Sequence, residues 1–220
     1  MIVVFDLDDT LYEEIQFVKG GFQAVAKLLS HKLHINEKKI NIRLMQILLK
    51  FGRGKVFNQF LKENNIKKLS LIKKCLSVYR SHSPKIKLYK DATQLISTMN
   101  MNSYIVTDGN KIVQKRKIKF LNLENKVKKA FVTHNYGINH AKPSIYCFKK
   151  IKDIENIKWQ EMIYIGDNPQ KDFVNLNKLG VKTVRVMKGP YKLVKVKKSF
   201  DAKYKINNLL QVTSLFNLSK

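Results

Sequence analysis

Two periodicities divide the 220-residue chain. From about Glu13 to Ser81 apolar residues recur at helical spacing: Ile15, Val18, Phe22, Val25 and Leu29, then Ile40, Leu44, Ile47 and Leu48. Val56, Phe57, Phe60 and Leu61 follow, and then Leu71, Ile72, Cys75 and Leu76. Such spacing gives each of four helices one apolar face and predicts a helical bundle. The pair Gly20-Gly21 lowers helix propensity by about 2 kcal/mol and leaves room for a break in the first helix. Elsewhere the period changes. Short apolar runs, "IVVF", "SYIV", "AFV", "MIYI" and "KTVRVM", alternate with the helical stretches "DATQLISTMN", "KIVQKRKIKFLNL", "SIYCFKKIKDI" and "KDFVNLNKLG". Strands that are apolar on both faces and alternate with helices predict a parallel sheet covered on each side. The expected fold is therefore α/β: a doubly wound, Rossmann-like parallel sheet formed by residues 1–13 and 84–220, with residues 14–83 as a helical insertion. Pro84, in "SHSPKIKLYKD", marks the return to the sheet.

Composition agrees with a globular chain, with 44% hydrophobic residues and only 4 prolines. No apolar run reaches the ~18–20 residues of a membrane span, and "MIVVF" is too short for a signal-peptide core. Cys75 and Cys147 form no C-x-x-C pattern and are expected to be reduced, as in a cytoplasmic protein. The charge is unusual. Forty-three Lys and Arg against 16 Asp and Glu give +27 at pH 7. That surplus attracts phosphorylated ligands and admits a nucleic-acid partner. The lysines are nevertheless spread over almost every segment beside abundant Asn and Ile, a pattern that compositional drift accounts for better. The densest cluster is "KGPYKLVKVKK", from Lys188 to Lys198. Its alternation of Leu193, Val194 and Val196 with lysines predicts a short edge strand guarded by charge.

Candidate chemistry collects after the apolar runs, where open parallel sheets bind their ligands. After "MIVVF" come Asp6, Asp8, Asp9 and Thr10; after "SYIV" come Thr107, Asp108 and Gly109. Lys142 follows the "AFV" run and a loop, and "MIYI" leads into Gly166, Asp167 and then Asp172. Each is ordinary alone. "TDG" is a common turn, and Asp172 reads equally as a charge at a helix start. Clustered carboxylates stay ionised together only when a cation offsets them. Asp9 reads as local turn chemistry.

These four groups, "DLDDT", "TDG", "KP" and "GDNPQKD", stand in the order of the motifs of the haloacid dehalogenase-like hydrolase superfamily, which the chain resembles over most of its length. The helical insertion, "LYKDATQLI" and "VQKRKIKFLNL" resemble the phosphoglycolate phosphatase-like and pyrimidine nucleotidase-like branch, in which such an insertion is a cap. The resemblance implies a Mg²⁺-dependent phosphomonoesterase. Asp6 would be the nucleophile, Asp8 the general acid and base, and Thr107 and Lys142 the groups that stabilise transfer. Asp6, Asp167, Asp172 and the backbone carbonyl of Asp8 would hold Mg²⁺. Phosphate would be held by Thr10, Thr107, Asp108, Gly109 and Lys142. Arg53, in the glycine-flanked turn of "FGRGKVFNQF", can meet an anion. An acid at Asp8 favours phosphatase over dehalogenase chemistry.

The expected substrate is a small phosphorylated metabolite, a sugar phosphate or nucleoside monophosphate. Phosphatase action on nucleic-acid ends, a phosphomutase and a non-catalytic phosphate-binding protein are the alternatives. No membrane partner is expected. His31 and His34 lie three apart without a carboxylate or cysteine to complete a metal set, and read as surface residues.

Overall fold

The computed structural model describes residues 1–99 and 101–218. It divides into two compact units, residues 1–14 with 86–220, and residues 15–85.

The first unit is built on a six-stranded parallel sheet of order β3-β2-β1-β4-β5-β6. Its strands are β1 (Ile2–Phe5), β2 (Met101–Thr107), β3 (Val127–Val132), β4 (Met162–Gly166), β5 (Lys182–Val186) and β6 (Tyr204–Ile206). The chain starts in the middle, winds outward through β2 and β3, then crosses to β4 and winds the other way. β1 and β4 are therefore neighbours where the winding reverses, the position at which a parallel sheet opens a crevice. Val3, Val4, Phe5, Ile105, Ile163, Tyr164 and Ile165 are all buried. Strands covered on both faces must be apolar at consecutive positions, as the runs predicted.

The second unit is a four-helix insertion: α1 (Ile15–Leu33), α2 (Glu37–Phe51), α3 (Val56–Glu63) and α4 (Leu69–Ser81). Its core joins Val18, Phe22, Val25 and Leu29 to Ile40, Leu44, Ile47, Phe57, Phe60, Leu71 and Cys75. The first unit carries the remaining helices: α5 (Lys90–Thr98), α6 (Lys111–Phe120), α7 (Tyr146–Glu155), α8 (Val174–Lys178) and α9 (Gln211–Leu215).

Two local expectations fail. The first helix does not break at Gly20-Gly21, because tertiary packing there needs the missing side chain. A Cβ on Gly21 would lie 2.5 Å from the Tyr79 ring, which itself packs edge-on against Phe17 and Phe57. The edge strand expected within Lys188–Lys198 is also absent: the backbone there runs through turns, and Leu193 is 84% exposed. Arg185 explains this. Its buried guanidinium donates to the carbonyls of Tyr191 and Val194, so this stretch curls over β5 instead of extending. The sheet edge is taken by β6, which pairs with β5.

Replacing Gly21 with alanine should lower the unfolding free energy of the helical unit by about 1–3 kcal/mol, because overpacking outweighs the ~1 kcal/mol gain in helix propensity. Urea unfolding followed by circular dichroism measures it, and a stabilised variant would contradict the packing argument.

Candidate active site

The sheet register assembles the acidic residues. Phe5 pairs with Ile165, and the Asp6 amide then donates to the Ile165 carbonyl at 2.8 Å. Asp6 and the segment Gly166–Asp167 thus leave the sheet side by side. Gly166 then lets the chain fold back on itself. A Cβ at that position would lie 2.6 Å from Asp172 Oδ2, an oxygen that accepts the Asn168 amide at 2.9 Å. One carboxylate oxygen each from Asp6, Asp167 and Asp172 comes within 4.8 Å of the others, and all three residues are buried.

Lys142 reaches this cluster from the loop after β3. Its Nζ lies 2.8 Å from Asp6 Oδ1, 2.8 Å from Asp172 Oδ1 and 2.9 Å from the Tyr164 hydroxyl. Lys171, paired with Asp108 at 2.9 Å, also favours ionised Asp6, but two cations against Asp6, Asp108, Asp167 and Asp172 still leave an excess of negative charge. Burial pushes the Asp6 carboxyl up to about 7; Lys142 opposes the rise and Asp172 adds to it. Burial and then the charges of Asp6 and Asp172 push Asp167 up to about 9. The arrangement suits a hard divalent cation, which takes carboxylate oxygens and offsets their repulsion.

Asp8 belongs to a different charge system. Its Oδ1 accepts from the Tyr12 hydroxyl and Lys117 Nζ, each at 2.7 Å; its Oδ2 accepts from Gln114 and Lys117, each at 2.9 Å. Lys117 also meets Glu14 at 3.1 Å. Burial works against the ionised form, but Lys117, Tyr12 and Gln114 together hold the Asp8 carboxyl below the usual range. Its carboxylate is thus committed to these donors.

The remaining predicted residues separate by unit. Thr107 is buried at the end of β2, and its Oγ1 accepts from Gln114 Nε2 at 2.6 Å. Thr10 is fully buried, and its hydroxyl has no hydrogen-bond partner among the described residues. The Asp108 carboxylate accepts from Thr133, the Lys142 amide and Lys171 at 2.9–3.0 Å. It therefore anchors the Lys142 loop, and an anion could meet Asp108 through its backbone N–H alone. Gly109 sits at φ +128°, where a side chain would be strained. Arg53 is exposed in the turn between α2 and α3, in the other unit, where it lines a cleft with Phe22, Phe57, Asn58 and Tyr79. Asp9, at φ +54°, accepts the Glu14 amide at 3.0 Å just ahead of α1. His31 and His34 are exposed.

Three polar residues at the site went unread: Gln114, Lys117 and Tyr164. The signal for the first two was present. Val113, Gln114, Lys117 and Ile118 form the buried face of α6, so two polar side chains occupy the stripe that should be apolar. Tyr164 was hidden inside an apolar run, where its hydroxyl could not be distinguished from a packing aromatic.

The raised acids give the metal-free protein a specific pH dependence. Its folded state keeps protons on Asp6 and Asp167 up to about 7 and 9, whereas the unfolded chain releases them near about 4. Stability contributed by these two groups therefore falls as pH rises across that window. A divalent cation held by these acids would displace the same protons, so any stabilisation by Mg²⁺ should grow with pH. Melting temperatures with Mg²⁺ and with a chelator, at about pH 5, 7 and 9, measure both trends. A Mg²⁺ shift that is flat across this range would refute the charge argument.

Residues 3–186 match the family model described as haloacid dehalogenase-like hydrolase. The chain is 30% identical, over 99% of its length and 98% of the relative's, to the glyceraldehyde 3-phosphate phosphatase of Methanocaldococcus jannaschii. It is 25% identical to the enzyme of that name in Pyrococcus furiosus, over 96% of this chain and 90% of the other. Among solved structures it resembles the 2-haloacid dehalogenase of Pseudomonas syringae, with a TM-score of 0.68, 17% identity and 99% of each chain covered. It also resembles the HAD-hydrolase YfnB of Bacillus subtilis, a structure bound to magnesium, with a TM-score of 0.67, 20% identity and 98% and 97% of the chains covered. The doubly wound sheet, the order of its motifs and the family match agree: this chain belongs to the haloacid dehalogenase-like hydrolase family.

Proposed function

We propose that this hydrolase is a Mg²⁺-dependent phosphomonoesterase that acts on a small sugar phosphate through an aspartyl-phosphate. The observation that carries the reading is the buried trio Asp6, Asp167 and Asp172, only partly offset by Lys142, which contacts two of them. Full-length similarity to two proteins named glyceraldehyde 3-phosphate phosphatase supports the substrate class and makes that triose phosphate the first compound to test.

Asp6, Asp167 and Asp172, with the Asp8 carbonyl, would hold Mg²⁺. When bound, the ion supplies charge neutralisation that lets an anionic substrate approach a carboxylate. In the first half-reaction a carboxylate oxygen of Asp6 attacks phosphorus, the bond from phosphorus to the ester oxygen breaks, and the departing alkoxide takes a proton from Asp8. That proton enters with the substrate, since phosphate esters retain one up to about pH 6. In the second half, water attacks the aspartyl-phosphate and gives its proton to the Asp8 carboxylate; the bond to Asp6 breaks, and phosphate leaves with the proton that Asp8 took, which returns Asp8 to its ionised state. Lys117 holds Asp8 in the ionised state that this half requires. Thr107 donates to a phosphoryl oxygen, and Lys142 offsets charge during both transfers. Arg53 and the helical unit would select the substrate.

The purified protein should hydrolyse glyceraldehyde 3-phosphate in preference to nucleoside monophosphates, with turnover that a chelator removes and Mg²⁺ restores. Asp6→Asn should lose at least about 10³-fold in turnover, because no other group replaces the nucleophile. Residual wild-type rates in that variant, or full activity in chelator, would overturn the mechanism. A preference for nucleotides would overturn the substrate class.

A further inference from the structure

We propose that Gln114 is a positioning residue that links the two ends of the transferring bond: it sets the Thr107 hydroxyl as a donor and fixes the Asp8 carboxylate. This rests on the catalytic reading above and adds to it a residue that neither touches phosphorus nor carries charge.

A primary amide has two N–H donors on one nitrogen. In Gln114 that nitrogen is 2.6 Å from Thr107 Oγ1 and 2.9 Å from Asp8 Oδ2. The side chain is buried, so water is not an alternative partner. With Asp8 ionised, the opposite amide orientation would set a carbonyl oxygen against the carboxylate, two acceptors with no proton between them, so the resting protein keeps the nitrogen toward Asp8. Because the nitrogen can only donate, Thr107 must accept from Gln114. The threonine then has its own proton left to give to a phosphoryl oxygen.

The same nitrogen holds Asp8, whose proton goes to the ester oxygen. Phosphoryl oxygen and ester oxygen lie on either side of the bond that breaks. One amide thus fixes the spacing between the group that holds the phosphate and the group that releases the alcohol. The helix is built to deliver it. Asn110 caps α6 by accepting the amides of Ile112 and Val113, which starts the helix directly after the "TDG" turn. A Cβ on Gly109 would sit 3.3 Å from Gln114 Cδ, so glycine lets the turn pass close over the amide. Lys117, one turn on, holds the other side of Asp8.

The test compares substrates that need a proton on the leaving group with substrates that do not. Gln114→Met keeps the volume and removes both donors. With an alkyl phosphate such as glycerol phosphate, kcat/KM should fall about 100-fold; with p-nitrophenyl phosphate, whose phenolate leaves unaided, it should fall only about 10-fold. Inhibition by inorganic phosphate should weaken about 10-fold, the effect of one hydrogen bond to an anion. In a Thr107→Val background the same replacement should leave phosphate inhibition within about 2-fold, because the link has already been cut. Gln114→Leu, uncharged and without donors, should reproduce the selective loss, and it decides the question should Gln114→Met fail to fold. Equal losses on both substrates, with additive effects on phosphate inhibition, would reduce Gln114 to a packing residue and overturn the proposal. A wild-type protein without Mg²⁺-dependent turnover, or an active Asp6→Asn variant, would instead overturn the catalytic reading beneath it.

Discussion

Three buried carboxylates gather around the ammonium of Lys142, and with Lys171 paired to Asp108 the acids still outnumber the cations. Lys142 touches Asp6 and Asp172 at 2.8 Å, while Asp167 is pushed up by both of them. Folding alone would not gather such groups, since each desolvated acid without a partner opposes the folded state. The sheet imposes the arrangement. β1 and β4 are central, apolar and in register, so whatever follows Phe5 and Ile165 emerges at one place. The scaffold's apolar pairing thereby holds an electrostatically unfavourable site, and a divalent cation held there would relieve that balance.

Beside it stands a carboxylate treated in the opposite way. Asp8 is two residues from Asp6 yet is supplied with three side-chain donors: Tyr12, Gln114 and Lys117. The alternation of side chains along an extended segment does not explain this; α6 does, by turning Gln114 and Lys117 inward. Neighbouring acids thus acquire different proton affinities from different neighbours, the usual requirement when two carboxyl groups perform different tasks.

Much of this was legible before coordinates. The helical unit announced itself through Val18, Phe22, Val25 and Leu29, and the central strands through uninterrupted Val, Ile and Phe. Asp6 and Asp167 were legible because each stands at the end of such a run, and Asp172 because it follows five residues after Asp167. What could not be read depended on contacts distant in sequence. Gly21 looked like a helix breaker because propensity is local, whereas the Tyr79 ring that demands glycine lies 58 positions later. Val194 and Val196 alternated like a strand, but a guanidinium from β5 captured the backbone before any neighbour could pair with it. Gln114 and Lys117 looked like two more polar residues in a lysine-rich chain. Their position on a helical stripe, and not their type, carried the information.

The family match ends at residue 186, but the physical domain does not. Arg185 is 1% exposed and meets Asp201 at 3.1 Å as well as the Val194 carbonyl. Asp91, at the start of α5, takes Lys188 at 2.6 Å and the Leu209 amide at 2.9 Å. A chain ended at residue 186 would leave a desolvated guanidinium without its carboxylate and carbonyl partners, and Asp91 without Lys188 and the Leu209 amide. The stretch beyond residue 186 is thus a clasp on the sheet's flank, and any attempt to graft or trim this enzyme must carry it along.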